Sequence, residues 1–311
     1  WPSQPGMAPS HFAFVPEDLR CARECLMSTI AMRDVSVMGT SYVHHSFEYF
    51  LDSMCELGIH GIDLWGAEPF YCRLDYPDSH SAMQRLRKMR AEMEARDQRV
   101  TIYTPETLGY PFNFSDPNPA LTLRTIEYFK WAFEDAHVLG CNRVFINSGS
   151  GLRDLSREES LKRCVDTFRV ILDLAETEDI IVPLEQLQPY ESNLVVGLGD
   201  VRHMLEAVGS PNLRVCVDLT AMEVQGEDLE QYFDAFGDKV EWIHYSDSHH
   251  EVVGSGAYGR DKLAGFIRTL EDHDFENGID LEINDSIYWE DPHGPHVETC
   301  RYLREELGLR D

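Results

Sequence analysis

Two kinds of hydrophobic pattern alternate along the chain from about residue 35. Short β-branched or apolar runs occur at 35–41, 60–65, 99–104, 142–148, 179–185, 213–219, 239–245 and 279–284, each about as long as a buried strand. Between them lie stretches of helical period at 44–57, 79–97, 118–139, 157–177, 199–208, 227–236, 260–272 and 293–307. Within 157–177, the residues Leu161, Val165, Phe168, Ile171, Leu172 and Ala175 recur three or four positions apart, which places them on one helical face. Gly or a polar turn follows most of the helical stretches, as in ELGIHG, VLGCN and AVGSPN.

Strict alternation of strand and helix predicts a parallel sheet, because each strand needs a crossover helix before the next can run the same way. Eight such units close into a (β/α)8 TIM barrel. The rival is an open doubly wound sheet, which would carry a glycine-rich phosphate turn after its first strand; here that turn reads GTSYVHH. The expected organisation is one barrel domain over 35–311. Residues 1–34 form an N-terminal extension with one or two helices over 16–32, covering a barrel end or serving an interface.

Composition narrows the partners. The chain has 311 residues, with 27 Lys and Arg against 55 Asp and Glu, for a net charge of −28. Such a charge repels phosphate backbones and anionic lipid surfaces, so neither nucleic acid nor membrane is expected as a partner. No apolar run reaches the roughly 18–20 residues that span a bilayer, and WPSQPGMAPSHFAF lacks the features of a secretion signal. The eight cysteines form no C-x-x-C pair. Cys21 and Cys25, one helical turn apart, read as small buried residues rather than a metal pair. A reduced, cytoplasmic protein is the expectation.

The chemistry of a TIM barrel sits at the C-terminal ends of its strands. Four consecutive strands end in residues that are costly to bury: Glu185 in VPLEQ, Asp218 in CVDLT, His244 in WIHYSDS and Glu282 in DLEIND. They are 33, 26 and 38 residues apart, about one strand–helix unit each, so all four converge. Three carboxylates and an imidazole at one apolar mouth are strongly unfavourable without a cation. A divalent metal resolves the conflict, and oxygen-rich ligation with a single imidazole suits Mn²⁺ best, with Co²⁺, Fe²⁺ or Zn²⁺ as alternatives. For each acid taken singly, capping a helix or pairing locally is the plainer reading.

Further candidates surround this set. Glu191 lies six residues past Glu185, as a substrate contact or a solvated loop acid. The segment YTPETLGYPFN holds Glu106, Tyr110 and Asn113 among rigid aromatic and proline residues and reads as a pocket wall. Trp65 offers a face for a sugar ring or for core packing. His249 and His250, in SDSHHEVVGSG, are substrate contacts or exposed loop histidines; His44 and His45 carry the same pair of readings, and His293 and His296 read as solvated.

At GIDLWGAEPF, YTPETLGYPFN, LEQLQPYESNLVV and the four ligand positions, the chain resembles the xylose-isomerase-like sugar epimerase superfamily. Within it, the fructoselysine 3-epimerase branch is most similar and the D-tagatose 3-epimerases are more distant, with the likeness running from about 36 to 307. The resemblance implies that Glu185, Asp218, His244 and Glu282 hold the metal. It also implies that Glu185 and Glu282 are the acid/base pair, and that Glu191 meets the substrate near its carbonyl end. The implied reaction epimerises or isomerises a ketose or ketose-amine: a proton beside the carbonyl is removed, a metal-stabilised enediolate forms, and the proton returns. A homo-oligomer is likewise implied.

The chain also departs from that pattern. His250 stands near the position of a family arginine, Val253 replaces a proline, and Ala221 stands where ketose 3-epimerases often carry a histidine. Related barrels cleave C-glycosides after oxidation at the sugar 3-position, so a lyase on 3-keto-glycosides is the alternative. That activity would use the same metal, His249 or His250 as base, and a small partner subunit. A non-catalytic sugar-binding barrel is the third reading, and the intact ligand set argues against it.

Overall fold

Val35, Val37, Ile62, Leu64, Val182, Leu184, Val215 and Val217 are all fully buried, as strands covered on both faces require. In the computed structural model, which describes residues 30–311, these runs form eight strands. They are β1 (Val35–Met38), β2 (Gly61–Gly66), β3 (Arg99–Pro105), β4 (Ile146–Asn147), β5 (Val182–Glu185), β6 (Leu213–Asp218), β7 (Val240–Tyr245) and β8 (Ile279–Leu281). Every ladder is parallel, in the order β3-β2-β1-β8-β7-β6-β5-β4. The seam between β3 and β4 is closed by two backbone bonds: Tyr103 N donates to the Arg143 carbonyl at 3.0 Å, and Phe145 N to the Tyr103 carbonyl at 2.9 Å. The result is the expected (β/α)8 barrel.

The helices are α1 (Phe47–Leu57), α2 (Ser79–Glu94), α3 (Pro119–Leu139), α4 (Arg157–Thr177), α5 (Leu198–Val208), α6 (Leu219–Val224), α7 (Leu229–Phe236), α8 (Gly259–Asp272) and α9 (His293–Glu305). The six residues that define the apolar face of α4 are all buried, and Ser156 caps the helix by accepting from Glu159 N at 3.3 Å.

Three differences from the sequence pattern have local causes. The first strand stops at Met38 because Gly39–Tyr42 turns into a 3₁₀ segment, with Gly39 so close to the Phe70 ring that a Cβ would overlap it. The run 142–148 follows the strand path, but only 146–147 pairs regularly; Arg143 and Val144 are held by single bridges to Ile181 and Tyr103. Helix α6 is too short to show a period, and it begins directly on Asp218.

Most of the expected extension, with its 16–32 helices and Cys21 and Cys25, lies outside the described residues. Where description begins, Met32–Asp34 forms one 3₁₀ turn whose Met32 N donates to the Arg310 carbonyl, tying the entry of β1 to the chain's end. The six cysteines among the described residues are free thiols. Among those residues, no helix is long and apolar enough to cross a membrane.

His296 is not solvated. It is fully buried on the inner face of α9 with Thr299, Cys300 and Leu303, packs on the Tyr42 ring at 5.5 Å, and donates from Nδ1 to the Pro292 carbonyl at 2.7 Å. Burial holds its imidazole down at about 4, against 6.5 in the unfolded chain. Between those values the unfolded state binds a proton that the native state does not, so stability is fullest above pH 6.5 and falls as pH drops toward 4. The expected loss is on the order of 2–3 kcal/mol. Urea unfolding of His296→Gln across that window should show a flatter pH slope than the native chain; an identical slope would refute this account.

Candidate active site

The four strand-end residues do converge. Glu185 closes β5, Asp218 closes β6, His244 is the penultimate residue of β7, and Glu282 follows β8 directly. Parallel register sets Asp218 opposite His244, Glu185 opposite Cys216, and His244 opposite Asp280. Ile102, Phe145, Cys216 and Trp242 form a small buried cluster against them, in which the Phe145 ring stacks on His244 at 5.5 Å and the Cys216 thiol lies within 4.8 Å of the Glu185 and His244 ligand atoms.

His244 Nδ1 lies 2.6 Å from Glu185 Oε1 and 3.0 Å from Glu282 Oε2. On the other flank, His250 Nε2 lies 2.9 Å from Asp218 Oδ2 and 3.5 Å from the same Glu282 Oε2. Asp218 has two roles, because its Oδ1 caps α6 by accepting from Thr220 N at 2.6 Å and Ala221 N at 3.3 Å. Capping, the plainer reading of this acid, therefore holds together with its place in the cluster.

Glu282 Oε2 is buried and makes no hydrogen bond, although two imidazole nitrogens lie within 3.5 Å. An oxygen with its lone pairs unspent, facing nitrogens that do not point at it, suits a cation held in common. Two ligands about 2.1 Å from one ion stand about 3.0 Å apart in an octahedron and about 3.4 Å apart in a tetrahedron. The separations of 2.9, 3.0 and 3.5 Å among Asp218, His250, His244 and Glu282 lie close to that range, while the 2.6 Å between His244 and Glu185 is a hydrogen bond that a bound ion would replace, so the donor set fits a divalent metal.

Electrostatics agree in direction. Burial pushes the Glu185 carboxyl up to about 8 despite the adjacent His244. Burial also acts to raise Glu282, but His250 and His244 reverse this and hold it at about 2. Burial disfavours a charged His250, yet Asp218 and Glu282 raise it to about 10. His244 is raised well above its ordinary value against its own burial, by Cys216, Glu185 and Glu282. With no cation, protons on the imidazoles offset the carboxylates; metal loading would displace them.

A cavity of about 220 Å³ is lined by Glu185, His244 and Glu282 together with Trp65, Glu106, Glu191 and Trp289. Trp65 is half-buried and donates from Nε1 to Glu106 Oε2 at 2.9 Å, so the two form one piece of wall. Glu191 Oε2 accepts from Gln188 N at 3.0 Å, and burial raises its carboxyl.

Other expected site residues are not brought to this cavity. Tyr110 is 90% exposed and lines a separate surface cleft with Asn113. Asn113 is occupied in its own loop, accepting from Ser115 N at 2.8 Å and donating to the Ser150 carbonyl. His249 is exposed, whereas its neighbour His250 is buried in the cluster. His44 is exposed and meets Trp289 edge-on, and His45 stacks on Tyr49.

The sequence reading missed Asp63 and Asp280. Both are fully buried in mid-strand, with Asp280 Oδ2 3.7 Å from His244 Nε2 and accepting from Trp242 Nε1 at 3.3 Å. A signal was available, since Asp280 precedes Glu282 by two positions and so shares its face of the strand.

Fold and site together define a TIM barrel whose C-terminal mouth carries a carboxylate–imidazole cluster suited to a divalent ion. Over residues 51–306 the chain belongs to the xylose isomerase-like TIM barrel family. Fructoselysine 3-epimerase of Escherichia coli O157:H7 is 28% identical over 255 residues, which are 80% of this chain and 88% of that protein. Among solved structures, 3-keto-D-glucoside 4-epimerase from E. coli superposes with a TM-score of 0.71 at 17% identity, covering 87% of this chain and 98% of that one. IOLI protein, solved with a bound zinc atom, also gives 0.71, at 16% identity over 88% of this chain and 97% of its own.

Proposed function

We propose that this protein is a divalent-metal-dependent epimerase or isomerase acting on a ketose or ketose-amine by moving a proton beside a carbonyl. The observation that carries this reading is the pair Glu185 and Glu282. They stand at the C-terminal ends of strands β5 and β8, separated in the barrel by β6 and β7, yet their carboxylates come to the same imidazole nitrogen at 2.6 and 3.0 Å. Inversion at carbon needs one group to take a proton from one face and another to return it to the opposite face.

Glu185, Asp218, His244 and Glu282 would hold the ion, which when bound supplies Lewis acidity to the substrate carbonyl. Trp65 presents a ring, held by Glu106, against which a sugar can pack. Glu191 offers a half-buried carboxylate to a substrate hydroxyl. One of Glu185 and Glu282 removes the proton at carbon and the other delivers one. We read residues 1–34 as an extension of this single barrel domain, and the working protein as a cytoplasmic homo-oligomer.

A ring ketone, of the kind named for the 3-keto-D-glucoside 4-epimerase of similar fold, is a second carbonyl for the same chemistry and is included in the test below. Less supports the lyase alternative, since neither histidine proposed as its base lines the cavity: His250 pairs with Asp218 and His249 is exposed.

The test is metal analysis followed by turnover of fructoselysine, free ketoses and 3-keto-glucosides in D₂O. Deuterium should enter at one carbon beside the carbonyl with inversion there, and activity should vanish on chelation and return with a divalent ion. Full activity in the stripped protein would refute the proposal. Release of an aglycone without deuterated epimer would instead favour the lyase.

A further inference from the structure

We infer that His250 is itself a ligand of the divalent ion, giving a donor set of two imidazoles and three carboxylates that favours Zn²⁺, Co²⁺ or Fe²⁺ over Mn²⁺. This rests on the metal-centre reading above and revises both its four-ligand set and its preferred ion.

The first observation is placement. His250 Nε2 is 2.9 Å from Asp218 Oδ2 and 3.5 Å from Glu282 Oε2, while His244 Nδ1 stands 3.0 Å from that same Glu282 oxygen on the other side. Glu282 Oε2 is thus the shared corner of two donor groups, and it is the oxygen that makes no hydrogen bond. Asp218 spends Oδ1 on the start of α6, which leaves Oδ2 directed at His250. His250 is 8% exposed and does not line the cavity, a position that suits an ion ligand better than a substrate contact.

The second observation is the turn that puts it there. His249 and His250 are consecutive non-glycine residues in the left-handed region, with φ of 58° and 57°. Such positions are strained and persist only where surrounding structure imposes them. Here it does. The Asp247 carboxylate accepts from Ser248 N at 2.8 Å, Tyr258 N at 3.0 Å and Gly254 N at 3.0 Å. The His250 carbonyl accepts from Asn284 N at 3.1 Å, which fixes it two residues beyond Glu282. The turn sends His249 outward and His250 into the cluster.

The chemical consequence follows from donor type. Carboxylate-rich sites suit Mn²⁺ and Mg²⁺, and each imidazole added moves preference toward Zn²⁺, Fe²⁺ and Co²⁺.

The experiment uses the full chain, stripped and then titrated with Zn²⁺, Co²⁺ and Mn²⁺, alongside His250→Ala and His250→Gln. Zn²⁺ and Co²⁺ affinity should fall at least about tenfold in both variants, with a smaller change for Mn²⁺ and a shift in the visible Co²⁺ bands. Pulsed EPR of the Mn²⁺-loaded native chain, which does not depend on the variants folding, should count two coordinated imidazoles. A count of one, or unchanged Zn²⁺ affinity and Co²⁺ bands in folded variants, would overturn the inference and leave the metal centre standing. Failure of the native chain to bind any of the three ions would overturn both.

Discussion

Glu282→Gln should leave the barrel folded and lower turnover by about 10²- to 10⁴-fold, the range that a positioned proton-transfer group supplies. Gln matches Glu in volume, so β8 and its neighbours need not move, but it cannot take a proton and has only one oxygen. Native Glu282 is ionised because His250 and His244 outweigh its burial. The substitution therefore removes chemistry rather than packing. Because the same side chain is a proposed ligand, metal content must be measured beside rate. A variant that keeps its ion but still loses turnover assigns the proton-transfer role. Glu185→Gln should behave alike, and near-normal rates in either would remove that residue from the pair.

Arg73→Met should destabilise the fold by about 3–5 kcal/mol. Arg73 enters from the loop after β2, with its side chain only 4% exposed, and pairs with Asp135 of α3, whose side chain is wholly buried. The guanidinium also reaches Ser79 Oγ at 2.8 Å and Glu134 at 3.2 Å, and Asp135 accepts from Tyr71 OH at 2.8 Å. Removing the cation leaves a buried carboxylate facing an apolar thioether, which costs far more than the pair itself is worth. Changing Asp135→Asn in the Arg73→Met background should recover much of the loss. Urea unfolding of the single and double variants checks this, and a single-variant loss below about 1 kcal/mol would contradict it.

The barrel was legible because each level of the pattern agreed. Val-rich runs such as LRVCVDL are too short and too evenly apolar for surface helices, and Leu161 to Ala175 could bury a single face only as a helix. The four strand-end residues were legible for the same reason, since their spacing is one structural unit. Within loops that logic ends. Glu106 and Tyr110 are four residues apart in one segment, yet the first lines the cavity and the second is 90% exposed. His296 looked polar, but its place on α9, three, four and seven residues before Thr299, Cys300 and Leu303, marks the buried face. Position outweighed polarity there, because a neutral imidazole can be buried if one nitrogen finds a carbonyl.

By itself, the sequence determined the eightfold alternation and the four side chains that meet at one end of it, because hydrophobic period and strand length are local properties. It also determined the large negative charge, of which a few carboxylates are concentrated where a cation would offset them. Only the tertiary structure chose between His249 and His250. The two are identical in type and adjacent in sequence, and the choice depends on the carboxylate of Asp247 gathering backbone amides from three positions along a loop. Only the tertiary structure, too, showed Asp218 capping a helix with one oxygen while turning the other to the cluster. Those are facts of direction, and direction is set by contacts between distant parts of the chain.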